Sequence, residues 1–105
     1  PSLRLLCRVN LELEGYRVVE APDVESARAA LAGAGIDAIL LDVHLGHEDG
    51  LDLLPAIQGR SYALLTGSPG VRLPDGATVI GKPFSIDALV RTVGQLVLRG
   101  REDLG

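Results

Sequence analysis

Three polar residues stand where apolar stretches run out: Asp42 after Ile36–Leu41, Thr66 after Tyr62–Leu65, and Lys82 two residues past Thr78–Ile80. A carboxylate, a hydroxyl and an ammonium brought to one sheet edge suit a phosphoryl group, with Asp42 as nucleophile or metal ligand, Lys82 as positive charge and Thr66 as hydrogen-bond donor. Each alone has a plainer account: a turn starting at Asp42, a strand ending at Thr66, a lysine solvating the sheet edge. Other candidates carry less. His44, His47, Glu48 and Asp49 follow Asp42 closely, and His-x-x-His beside carboxylates suits a transition metal, but a solvated loop explains them as well and a catalytic zinc needs anchored ligands. Cys7 falls on the apolar face of a helix and reads as a core residue, not a reactive thiol. Asp49-Gly50 reads as a turn into the next helix.

Positioning the three residues requires strands that stop together. Leu3, Leu6, Cys7 and Leu11 repeat at helical spacing and Gly15 follows as a stop, which predicts a helix over 2–14. Tyr16–Glu20 is short, β-branched and aromatic and ends at Pro22, so it predicts a strand. Asp23 is placed to cap a helix carrying Val24, Ala27 and Leu31, which Gly33 and Gly35 end. Ile36–Leu41 is apolar almost throughout, as in a strand covered on both faces. A helix over 50–57, strands at 62–66 and 78–80, and a final helix capped by Ser85 complete the order. Strands alternating with helices imply a parallel sheet between helix layers, with ligands at the carboxyl ends of the strands. Residues 99–105 read as a tail or linker after a single domain spanning 1–98.

Composition narrows the partners. The 105 residues hold ten Lys and Arg against fourteen Asp and Glu, a net charge of −4, which lacks the basic footprint of a nucleic-acid or anionic-membrane binder. Hydrophobic residues make up 47% and aromatics 3%, so the core is built from Leu, Val, Ile and Ala in layers. One cysteine forms no internal disulfide, and no apolar run reaches the ~18–20 residues of a membrane span. The reading is cytoplasmic, with no membrane contact and no nucleic acid bound through this domain.

The ordered set of Asp37-Ala38-Ile39-Leu40-Leu41-Asp42, Ala63-Leu64-Leu65-Thr66-Gly67 and Gly81-Lys82-Pro83-Phe84, with Gly15-Tyr16-Arg17-Val18 upstream, resembles the receiver domain of two-component response regulators over nearly the whole chain. The resemblance implies a flavodoxin-like, doubly wound α/β fold with a parallel sheet of order 2-1-3-4-5. It implies that Asp42 accepts a phosphoryl group from a histidine kinase, that Lys82, Thr66 and Gly67 contact the phosphoryl oxygens, and that Pro83 follows a cis peptide. Mg²⁺ would be held by Asp42, the main-chain carbonyl of His44 and acidic residues ending the family's first strand, which are expected upstream of Pro1. His44 and Ser68, each two residues after a site residue, would border the path of water to the acyl phosphate.

Three departures from the family pattern stand out. The first strand is absent from these 105 residues. The fourth helix is short, with 24 residues from Asp42 to Thr66 and 16 from Thr66 to Lys82. Val79 stands where the family often has a switch aromatic.

The leading expectation is a phosphoacceptor domain in a phosphorelay, partnered by a sensor histidine kinase or phosphotransfer protein and by an output domain or protein, with a homodimer possible. It would be no enzyme in its own right, promoting only its own phosphorylation and dephosphorylation. The alternative is a receiver-like interaction module that does not depend on phosphorylation. A third, an aspartyl-phosphate phosphohydrolase, is disfavoured because such hydrolases usually place an acid where this chain has His44.

Overall fold

Leu64 and Leu65 are adjacent in sequence and belong to opposite halves of the core, because successive side chains of a strand point to opposite faces. The structure, a computed structural model, describes residues 2–33, 35–45, 48–67 and 77–104. Both leucines lie on β4 (Tyr62–Thr66), the middle strand of a parallel sheet in which β1 (Ile39–Asp42) and β5 (Thr78–Gly81) flank it in the order β1-β4-β5. Leu64 packs with Leu41, Val43, Leu53, Ile57 and Val24, the last from α2 (Val24–Gly33). Ala63 and Leu65 pack instead with Ile80, and with Leu89 and Leu96 of α4 (Ile86–Leu104), joined by Cys7 of α1 (Ser2–Leu13). The sheet is therefore sandwiched between helix layers, with α1 and α4 on one face and α2 on the other.

The local chemistry of the helix ends follows the sequence. The Asp23 carboxylate accepts the Ser26 N–H at 2.7 Å, and the Ser85 hydroxyl accepts the Ala88 N–H at 3.1 Å, each satisfying a donor that a helix start leaves orphaned. Gly15 turns the chain out of α1 with φ of 95°, a conformation that a Cβ would oppose.

Three elements differ from the sequence expectation in extent. The run expected as a strand from Ile36 pairs only from Ile39, where the ladder to Tyr62 begins. The helix expected over 50–57 is a 3-10 turn, Gly50–Leu53, followed by the single turn α3 (Leu54–Ile57), since Pro55 has no N–H to donate to the carbonyl of Leu51. α4 runs on through the segment 99–104 that the sequence suggested as a tail. A short antiparallel pair, β2 (His44–Leu45) with β3 (Glu48–Asp49), was not foreseen. The short fourth helix expected between Thr66 and Lys82 falls largely on residues 68–76, outside the described residues.

The strand expected at Tyr16–Glu20 is corrected: among the described residues no ladder forms there. A strand exists only with a partner, and between this segment and the free edge of β1 lies a cavity of about 690 Å³ lined by Val18 and Glu20 on one side and by Leu40 and Asp42 on the other. Residues of both core clusters also line it, Cys7 and Leu65 from one, Leu31 and Ile57 from the other. The cavity thus lies within the sheet layer, where the resemblance implies a central strand. No helix among the described residues is long and apolar enough to cross a membrane.

Candidate functional site

The parallel register aligns Asp42 with Leu65 and Thr66 with Gly81, so the three strands end together and bring Asp42, Thr66 and Lys82 to one edge. The Lys82 ammonium lies 2.8 Å from Asp42 Oδ2, with the two side chains 27% and 24% exposed. This partial burial lowers the effective dielectric around the pair relative to open surface. Lys82 is fixed at its base as well as its tip. Its N–H donates to the Thr66 carbonyl at 2.8 Å, and the Lys82–Pro83 peptide that follows is cis. Gly67 leaves room for the lysine stem: a Cβ there would stand 3.2 Å from Lys82 Cβ.

Asp42 is held from behind. The Val43 N–H donates to the Leu65 carbonyl at 3.0 Å, and the Gly50 N–H donates to the Val43 carbonyl at 2.7 Å. Asp49 supports the same turn by accepting the Leu51 N–H at 2.9 Å. The expectation that Asp49-Gly50 leads into helical structure holds, but the contact of Gly50 with the main chain behind Asp42 was not legible, since spacing alone does not say which backbone a turn lies against.

Cys7 is half-buried and lines the cavity together with Asp42. Burial pushes its thiol pKa up, the Asp42 carboxylate adds to the shift, and Lys82 opposes it. At the cavity wall Glu20 accepts hydrogen bonds from Arg4 and Arg8, tying the 16–20 segment to α1. These ion pairs also escaped the sequence reading, because partners 12 and 16 residues apart share no periodicity. Val79 is exposed on the edge strand β5.

Ser68 and His47 lie outside the described residues, as do the side chains of His44 and Glu48. Toward the Mg²⁺ expected from the resemblance, the chain offers the Asp42 carboxylate and the His44 main-chain carbonyl. Among the described residues no group of three or more His, Cys, Asp or Glu is placed to hold a metal. Mg²⁺ takes one or two carboxylates and keeps several waters, so these two groups would form part of such a site.

The chain is similar to known proteins in sequence and in fold. The family described as the response regulator receiver domain matches residues 1–66. The regulatory protein VirG of Agrobacterium tumefaciens (strain 15955) is 26% identical over 113 residues, which cover 98% of this chain and 42% of VirG, so the chain spans less than half the length of that relative. The receiver domain of NtrX from Brucella abortus superimposes with a TM-score of 0.81 at 27% identity, over 92% of this chain and 91% of that one. The receiver domain of the Francisella response regulator 1452 has the same fold, with a TM-score of 0.81 at 23% identity over 93% of this chain and 89% of its own. With its parallel sheet, its helix layers and its family match over more than half its length, the chain belongs to the receiver domains of response regulators, the phosphoacceptor modules of two-component signalling.

Proposed function

We propose that Asp42 is the phosphoacceptor and that the donor is a phosphohistidine on a sensor kinase or phosphotransfer protein. A carboxylate Oδ of Asp42 attacks phosphorus, the O–P bond forms, the P–N bond breaks, and its electron pair stays with the imidazole, which takes up a proton. The observation that carries this reading is the 2.8 Å contact between Lys82 and Asp42. An anionic nucleophile approaching an anionic phosphoryl group is opposed by charge, and a fixed ammonium at that distance offsets the repulsion. Thr66 and Gly67, at the same strand end, would hydrogen-bond the transferred group.

Receiver domains are generally Mg²⁺-dependent in phosphorylation. Here Asp42 and the His44 carbonyl would contribute to such a site, and acidic side chains upstream of Pro1 would complete it. His44 and Ser68 are assigned to the lifetime of the acyl phosphate, so that His44→Gly speeds its hydrolysis by about 10-fold, roughly 1.4 kcal/mol of barrier. The output is a domain or protein that responds to the phosphorylated state, a homodimer among the candidates, and the setting is the cytoplasm.

The test is intact mass after incubation with a small phosphoramidate and Mg²⁺. One acid-stable, base-labile phosphoryl group on the wild type and none on Asp42→Asn is expected; equal labelling of both, or none on either, overturns the assignment. A second reading, an interaction module indifferent to phosphate, is favoured by one observation, the lack of a carboxylate cluster around Asp42 among the described residues. Absence of labelling together with unaltered partner binding by Asp42→Asn would establish that reading.

A further inference from the structure

A carboxylate that must meet a phosphorus atom in line needs a fixed main chain under it, because a side chain of two rotatable bonds aims no better than its own Cα. The peptide planes at residues 42 and 43 are held on one side by β4, through the Val43 N–H to Leu65 carbonyl bond. On the other side lies Gly50. It is buried, its N–H donates to the Val43 carbonyl at 2.7 Å, and a Cβ built on it would stand 2.1 Å from the Asp42 carbonyl oxygen and 3.1 Å from the Asp42 carbonyl carbon. At 2.1 Å from a backbone atom no flexible side-chain end can yield, so one of the two main chains, at 42 or at 50, must move. The φ of Gly50 is not positive, so what position 50 needs is the absence of a side chain, not glycine's conformational freedom. The turn that Gly50 begins is anchored at two further points, by the Asp49 cap on Leu51 and by Leu53, which is buried in the cluster with Leu41 and Val43.

We infer that Gly50 is a positioning residue for the phosphoacceptor: its bare α-carbon seats the Asp42 carbonyl and so directs the carboxylate onto Lys82. This rests on the phosphoacceptor reading above. Any side chain at 50 turns the Asp42 peptide, and the carboxylate leaves the lysine while the strand remains paired further back at Ile39–Leu41. The Asp49 carboxylate acts one step further out, by holding the turn that carries Gly50.

The experiment measures the rate of phosphoramidate labelling in folded Gly50→Ala, in Asp49→Ala, in Lys82→Ala and in the two doubles with Lys82→Ala, with Gly33→Ala as control, since a Cβ at 33 meets nothing within 4 Å. Gly50→Ala should lose about 10- to 100-fold in rate, a misplacement effect. Because Gly50 acts through the Asp42–Lys82 contact, Gly50→Ala should cost little more once Lys82 is gone; a merely structural role would instead multiply the two losses. Asp49→Ala removes an exposed cap without inserting an atom, and should show the same non-additivity with a smaller loss, which keeps the inference open to refutation if Gly50→Ala fails to fold. A wild-type rate in Gly50→Ala and Asp49→Ala, or losses that multiply with Lys82→Ala, overturn the inference while the wild-type and Asp42→Asn controls still report on the phosphoacceptor reading itself.

Discussion

Lys82 reaches across 40 residues of sequence to place its ammonium 2.8 Å from the Asp42 carboxylate, and both side chains keep about a quarter of their surface exposed. The pair is therefore neither sealed from water nor open to it, which suits the phosphoacceptor role proposed for Asp42.

Replacing Lys82 with Ala should separate those two roles. Phosphorylation should slow by about 100-fold or more, the scale seen when one preorganised charge or donor is removed from a reacting centre. Stability should change by about 1 kcal/mol or less, as for a partly exposed ion pair. Rates from intact mass and a urea midpoint on the same preparation check both, and a protein that unfolds but labels normally in its folded fraction would contradict the assignment.

Leu89 and Leu64 are fully buried on opposite faces of the sheet. Truncating either to Ala should cost about 2–5 kcal/mol, read from chemical denaturation. Similar losses at the two sites would mean that the helix layers support the sheet equally.

Asp23 gives the acid-side prediction. The Ser26 N–H and hydroxyl hold its carboxyl pKa below the usual value. A carboxylate whose folded pKa is depressed contributes stability that is present above its unfolded pKa, about 3.9, and is lost as pH falls through the folded value. Thermal midpoints of wild type and Asp23→Ala should therefore differ at pH 7 and approach one another as the pH falls below the usual carboxylate range. A constant difference would mean that the charge is irrelevant to the cap.

Cys7 gives the alkaline counterpart. Its thiol pKa is raised first by burial and then by Asp42, so at pH 8 iodoacetamide should modify it several-fold more slowly than free cysteine. The stability linked to this shift is intact below the free thiol's value, about 8.5, and is lost as pH rises through the folded one. Asp42→Asn should speed the alkylation by removing the second cause, and an unchanged rate would place the whole effect in burial.

The legibility of these features in the sequence tracks how local their causes are. The boundaries of α2 and β4 follow from side-chain period and from a cap three residues away, and the structure has both as expected. Asp42, Thr66 and Lys82 were found because strand ends are marked by a change from apolar to polar. The segment 16–20 has the composition of a strand, but its ladder depends on a neighbour that no local pattern supplies. The seat that Gly50 provides for Asp42 depends on two backbones meeting in space, and the Arg4, Arg8 and Glu20 contacts on a turn bringing α1 against the next segment; neither leaves a periodic trace.

The free edge of β1 also sets how the molecule opens. Residues 2–38 join the β1-β4-β5 core through side-chain packing, and among the described residues no backbone ladder crosses between the two parts. Without shared ladder bonds the two parts need not unfold in one step, and the front part is expected to open as a unit before the sheet behind it. Native-state hydrogen exchange should accordingly show the amides of α1 and α2 exchanging together through a subglobal opening, while those of Ala63–Leu65 exchange only with global unfolding. Asp42 then stands at the seam between the softer and the harder half of the molecule.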